Sequence, residues 1–255
     1  MGVFLAAARF ELAVLRRSPS DLIALANTPL LTVIFLAITR HAGRADLAPY
    51  AVLAPAVIGV WLMALLVSGE IVDRARWDST LEALVATPAP LTLVVLGRIT
   101  TVTGLSLLAV LESWLVGRLG FGVAIDVHHP VLFVLTLLVL ALAIAGTATA
   151  MSAVFVLART ARTFQNALSY PVYLLGGAFV PVDLLPGWLR PLSRLVFLSW
   201  ATDLLRDGLS AAPVPAAPAR LAVVLGLGLA AFLGGVALLH RFLDKVRALG
   251  TLDHA

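Results

Sequence analysis

The sequence predicts an all-α integral membrane protein: six transmembrane helices, an N-terminal interfacial amphipathic helix, and short outer-leaflet re-entrant helices between spans five and six. Three observations carry that expectation. Mean hydropathy is +1.02, with 61% hydrophobic and only 13% charged residues, more apolar surface than a water-soluble core of 255 residues can hide. Six apolar runs approach the roughly 20 residues needed to cross about 30 Å of hydrocarbon. A single short insert, Gly69 to Pro90, concentrates charge between two of those runs.

The chain reads as one transmembrane domain over residues 1–255, and its elements come in order. In residues 1–20, Phe4, Leu5, Ala8, Leu12 and Leu15 form a stripe flanked by Arg9, Arg16 and Arg17, the pattern of a helix lying on a membrane surface. Arg9 and Glu11 interrupt the apolar stretch that a signal peptide would need. The first span runs from Leu22 to Thr39, where Asn27 and Pro29 offer either a kink lining a groove or a packing contact. The second runs from Tyr50 to Gly69.

The third span, Leu91 to Val116, carries two charges. Arg98 lies near its start and is expected to snorkel to the headgroups. Glu112 stands about 21 Å further along at 1.5 Å per residue, where a carboxylate needs water or a partner. It either lines a translocation path or pairs with Arg118. The fourth span, Val131 to Leu157, is long enough to tilt, and the fifth, Phe164 to Val180, holds Pro171 and the Gly176-Gly177 pair. The sixth, Leu221 to His240, bears Gly226, Ala230 and Gly234 as a small-residue face suited to close helix packing. His128-His129 reads as a loop pair, since no third metal ligand lies nearby in sequence.

Residues 181–220 are too apolar for an ordinary loop and too broken by proline and charge to span. Leu184, Leu185, Trp188, Leu192, Leu195 and Val196 recur at helical spacing, and Leu204, Leu205 and Leu209 come after them. Two short helices that dip into the outer leaflet or lie on it, then a Pro/Ala linker, fit that pattern. The larger share of the basic residues falls on the cytoplasmic side if both termini are placed there, as six spans allow.

The insert at 70–90 is amphipathic. Trp77, Leu81, Leu84 and Val85 share one helical face, Glu70, Asp73, Arg74, Arg76, Asp78 and Glu82 occupy the others, and Pro88 and Pro90 stop the helix. Such a helix between two spans is a contact point for a soluble partner. Several chemistries are excluded or left without support. No cysteine is present, so there is no thiolate site or Cys nucleophile, and no H-E-x-x-H or G-x-S-x-G motif appears. Basic residues flanking spans account for the +4 net charge without nucleic acid. The only lysine, Lys245, follows His-Arg-Phe-Leu-Asp and precedes Val, so these residues contain no phosphate-cradling G-x-x-x-x-G-K-[ST] loop.

Two segments resemble the permeases of ABC type-2 exporters. One is Glu70 and Arg74 followed by Thr80-Leu81-Glu82-x-Leu84-x-x-Thr87-Pro88. The other is Gly177-Ala178-Phe179-Val180-Pro181-Val182, then Leu185-Pro186-x-Trp188-Leu189, then Phe197-x-x-x-Ala201-x-Asp203-x-x-Arg206. The resemblance implies that Glu70, Arg74, Trp77, Thr80, Leu81, Glu82 and Leu84 couple the chain to a separate P-loop ATPase, two copies per complex, which would hold ATP and Mg. It implies a second permease subunit, homo- or heterodimeric, and a non-catalytic chain in the bacterial plasma membrane that exports a drug-like molecule, lipid or glycan. Asn27 and Glu112 are the candidates for the path. An ion-coupled carrier would want several intramembrane carboxylates, and an intramembrane enzyme would want polar residues clustered at one depth; Glu112 alone supplies neither.

Overall fold

A computed structural model describes residues 2–17, 19–77, 91–157 and 161–249. Among the described residues the chain is helical, without strands: α1 (Val3–Arg17), α2 (Pro19–His41), α3 (Ala48–Trp77), α4 (Leu91–Ser106), α5 (Leu108–Leu115), α6 (Pro130–Leu157), α7 (Ala161–Leu175), α8 (Arg190–Ser193), α9 (Phe197–Leu209) and α10 (Ala217–Leu249). Among the described residues, four stretches are long and apolar enough to cross a membrane: Ala45–Met63, Leu96–Gly120, Pro130–Met151 and Ala217–Leu238. They correspond to expected spans two, three, four and six. The first expected span is helical as α2, and the fifth only as far as Leu175, where α7 ends short of the expected Val180; neither is among those four.

α3 is the central helix, with α2, α4, α5, α6 and α7 packed around it. Its buried stretch runs from Ala51 to Trp61 without an exposed position, and Trp61 meets Phe197 of α9 at a centroid distance of 5.9 Å. The helix has 30 residues, about 45 Å of rise, so it continues well past the span end expected at Gly69.

The third span is not one regular helix. α4 ends at Ser106, Leu107 interrupts, and α5 passes into a π-helical turn at Val116–Gly120. The cause is local chemistry. Thr101, Thr103 and Ser106 each turn a hydroxyl back onto a carbonyl of the preceding turn, at 2.7–2.8 Å, and Gly104 lies among them. Where the π turn passes α3, a Cβ at Gly117 would sit 2.7 Å from Val52 Cγ2.

α6 and α10 make the most extensive helix pair, and their backbones nearly touch. A Cβ on Gly228 would lie 2.4 Å from Ala143 Cα, one on Gly146 would lie 2.4 Å from the Gly228 carbonyl oxygen, and one on Gly235 would lie 2.5 Å from Ala150 Cα. Without a hydrophobic driving force between helices in lipid, such approach maximises dispersion contacts. It also corrects the expected seam: Gly226 and Gly234 meet nothing within 4 Å, and the helix turns Val224, Gly228 and Gly235 inward instead.

The segment after α7 holds two helices of unequal length, the single-turn α8 and the 13-residue α9. Leu184–Val196 forms turns and the single-turn α8, leaving Leu184, Trp188 and Leu195 exposed; Pro186 interrupts helical hydrogen bonding, and Pro191 stands in the first turn of α8. α9 is fully built and packs into the bundle against α6 and α10, with Leu198, Ala201, Leu204 and Leu205 entirely buried. The His128-His129 pair clasps its far end: His129 N–H donates to the Gly208 carbonyl at 3.0 Å, while ring nitrogens of His128 and His129 lie 3.0 Å from the Leu209 and Ala212 carbonyls.

Candidate functional site

Polar side chains inside the bundle meet where α2, α3 and α5 cross. Gly59 lets α2 come close, since a Cβ there would fall 2.2 Å from Thr28 Oγ1. Thr32 Oγ1 donates to the Thr28 carbonyl at 2.9 Å and lies 2.8 Å from Ser113 Oγ, which reaches the Val52 carbonyl at 2.5 Å. Thr28, Thr32 and Ser113 are thus the buried residues of this seam, and Asn27 is half-buried beside it. Glu112 is half-buried next to Ser113, with Oε2 buried and without a hydrogen-bond partner among the described residues. The expected alternative pairing with Arg118 is not formed: Arg118 is exposed on the π turn. No hydrogen bond joins Asn27 to Glu112 among the described residues.

Arg98 does not snorkel. It is buried and pairs with Glu11 of α1, Nε to Oε2 at 2.5 Å, with its guanidinium 5.4 Å from the centre of the Phe10 ring. α1 can lie this close because Gly97 has no side chain: a Cβ there would be 2.6 Å from the Phe4 carbonyl oxygen. The inward face of α1 is therefore Ala7, Glu11 and Leu15, while Phe4 and Leu5 of the expected apolar stripe face outward. Glu11 thus faces α4 and pairs with Arg98, while Phe4 and Leu5 stand on the outer side, the side on which the expected interfacial helix would meet lipid. A lone Glu at 11 and a lone Arg at 98 were the only sequence signals, with 87 positions between them.

A cleft of about 600 Å³ opens at the end of the bundle where α2 finishes and α3, α9 and α10 meet. Phe35, Leu47, Tyr50 and Phe179 form an apolar wall, in which Phe35 and Phe179 stack at 6.4 Å and 9°. The facing side carries Asp183, Arg194, Asp203, Arg206, Asp207 and Arg220. Arg194 pairs with Asp203 at 2.8 Å and rests over the Trp200 ring at 4.7 Å, and Arg220 pairs with Asp207 at 2.6 Å.

Arg206 is tied to the backbone as well. Gly177, at φ +70°, ends α7 in the left-handed conformation and leaves carbonyls without helical partners. Thr202 Oγ1 donates to the Gly176 carbonyl at 2.7 Å, and Arg206 Nη2 donates to that of Gly177. The glycine that opens the second motif and the arginine that closes it are brought into contact. Arg206 Nη1 stands 3.7 Å from Asp203 Oδ1 and has no hydrogen-bond acceptor among the described residues, although it is buried. Burial pushes the guanidinium below its ordinary pKa, with Asp203 the largest opposing influence.

Of the expected coupling residues, Glu70, Arg74 and Trp77 belong to the last turns of α3, an i, i+4, i+7 set on continuous helix. Thr80, Leu81, Glu82 and Leu84 lie outside the described residues, and α4 begins directly after that stretch at Leu91.

The family model described as ABC-2 type transporter matches residues 3–209. No curated protein matches the chain.

Proposed function

The chain belongs to the ABC-2 type transporter family, and we propose from that premise that it is the membrane-spanning subunit of an ATP-driven exporter of amphiphiles. It is a multi-pass membrane permease of ABC-type transport, and the family generally works with an ATPase partner. The finer reading adds six spans with both termini in the cytoplasm of a bacterium, two P-loop subunits carrying ATP and Mg, and a second permease. The family match over 3–209 is the observation that carries it. The only lysine of residues 1–255 stands outside any phosphate-binding loop, so none of these residues is proposed to hold ATP.

In this reading nucleotide binding closes the ATPases against the segment from Glu70 to Leu84, with Trp77, Leu81 and Leu84 as apolar contacts and Glu70, Arg74, Thr80 and Glu82 as polar ones. Glu70, Arg74 and Trp77 stand on the helix that forms the bundle centre, so displacement there would move α3 against α2 and α5 as a rigid lever. Asn27 and Glu112, beside that contact, would border the path. The unpartnered Glu112 oxygen favours one second reading, an ion-coupled carrier that works without ATP. Reconstitution in proteoliposomes with and without a P-loop ATPase that co-purifies with it separates the two. Export of a fluorescent amphiphile that requires ATP and ignores an imposed proton gradient supports the exporter, and gradient-driven movement without ATPase replaces it with the carrier.

A further inference from the structure

We propose that the cleft beside α9 binds the headgroup of a zwitterionic amphiphile, its phosphate or carboxylate on Arg206 and its ammonium toward Asp183, with the apolar body along Phe35, Tyr50 and Phe179. The reason lies in the groups left unclaimed. The cleft holds three arginines and three aspartates, so it has no net preference for a simple anion or cation. Two arginines are already committed to two aspartates, Arg194 to Asp203 at 2.8 Å and Arg220 to Asp207 at 2.6 Å. Arg206 has only a long ion pair, 3.7 Å to Asp203, which leaves its Nη1 without a hydrogen-bond acceptor, and Asp183 is left without an ion pair among the described residues. Arg206 Nη1 is buried without a hydrogen-bond acceptor, an arrangement that costs free energy unless something fills it. Asp183 lines the same cleft, and its carboxylate makes no ion pair among the described residues.

The remaining surfaces fit an amphiphile rather than a soluble ion. The opposite wall is aromatic, and about 600 Å³ is within the range of drug-sized ligand sites. Leu184, Trp188 and Leu195, each more than 70% exposed, stand on the neighbouring turns, as side chains do that meet the boundary between headgroups and hydrocarbon. A guanidinium held by a backbone carbonyl on one edge presents its other edge in a fixed direction, suited to a phosphate or carboxylate. The assignment deepens the export reading by naming a substrate class, and it rests on that reading only for the fate of the molecule once bound.

The test uses the purified full chain without any ATPase, so its failure and that of the exporter reading are separate. Because the chain has no cysteine, Ser210→Cys places a single reporter in the cleft lining. Its reaction with a thiol reagent is monitored against short-chain phosphatidylethanolamine, phosphatidate, an alkyltrimethylammonium and an alkyl glucoside. Phosphatidylethanolamine is expected to protect at the lowest concentration. Arg206→Gln raises that concentration about tenfold or more, the weight of a charge-assisted hydrogen bond. Asp183→Asn weakens protection by phosphatidylethanolamine while sparing phosphatidate. Asp183 is exposed and its carboxylate holds nothing in place, so that variant keeps the fold even if Arg206→Gln does not. Equal protection by all four probes, or an Asp183→Asn response that does not separate phosphatidylethanolamine from phosphatidate, overturns the assignment. With the site upheld, adding the partner ATPase and ATP distinguishes its sources: lost protection marks an exported molecule, and unchanged protection a resident lipid.

Discussion

Breaking the Glu11–Arg98 pair should release α1 from α4. The pair is 2.5 Å long, and its side chains are 1% and 9% exposed. Removing one partner from such a buried pair commonly costs about 3–5 kcal/mol, because the other charge is left uncompensated. Glu11 Oε1 already lacks a hydrogen bond, so the pair is incompletely satisfied and the lower figure applies. About 3 kcal/mol corresponds to roughly a hundredfold shift toward undocked α1. The two single variants differ in what they strand. Arg98→Met leaves a carboxylate among apolar side chains, whereas Glu11→Gln leaves a guanidinium still over the Phe10 ring at 5.4 Å, so Arg98→Met is the more damaging. The double variant Glu11→Leu with Arg98→Met removes both charges and should recover most of the loss. Hydrogen exchange of amides 3–17 in nanodiscs reads the docking directly. Wild-type protection in Arg98→Met, or a double variant no better protected than that single one, would refute the reasoning.

Three other perturbations have defined outcomes. Gly228→Leu forces a side chain into the Ala143 backbone, so α6 and α10 must separate and thermal stability should fall by at least about 1–3 kcal/mol, while Gly226→Leu, with open space around it, leaves the melting temperature within error. Glu112→Gln does not lower the melting temperature, since Oε2 holds no partner, and on the proposed path it slows export of the amphiphile; unchanged export with intact protein removes Glu112 from the path. Thr202→Val takes away the hydroxyl that serves the Gly176 carbonyl at 2.7 Å and should cost about 1 kcal/mol or more, measured by chemical or thermal unfolding in detergent.

How far the fold could be read from the residues depended on whether the signal was local. Hydropathy alone located the apolar stretches of α3, α6 and α10, because a run of aliphatic side chains announces itself without any knowledge of partners. The break at Leu107 was present as Thr101, Thr103, Gly104 and Ser106, but a hydropathy window averages over hydroxyls that bend a helix. Facing was harder. Gly226, Ala230 and Gly234 carry the i, i+4 small-residue spacing, whereas Gly228 and Gly235, seven positions apart with Phe232 between them, are the ones that meet Ala143 and Ala150 of α6. Glu11 and Arg98 meet over 87 positions with nothing along the chain to link them, and Gly177 and Arg206, the two ends of one motif, meet over 29 positions without the motif saying that they touch. The charged cleft was legible as scattered Arg and Asp in residues 181–220, but not as three arginines and three aspartates around one space. Its Asp203 and Arg206 carried the family pattern, though the pattern alone gave them no task.

The most direct test of the account is affinity purification of the intact protein from its host in gentle detergent, with stoichiometric mass spectrometry of the proteins that accompany it. A P-loop ATPase is expected in the eluate of the wild type, and its loss from Leu81→Asp, Leu84→Asp with the permease still inserted would place the coupling contact at those residues. A homogeneous preparation with no nucleotide-binding partner, or an ATPase retained undiminished by the double variant, would contradict it.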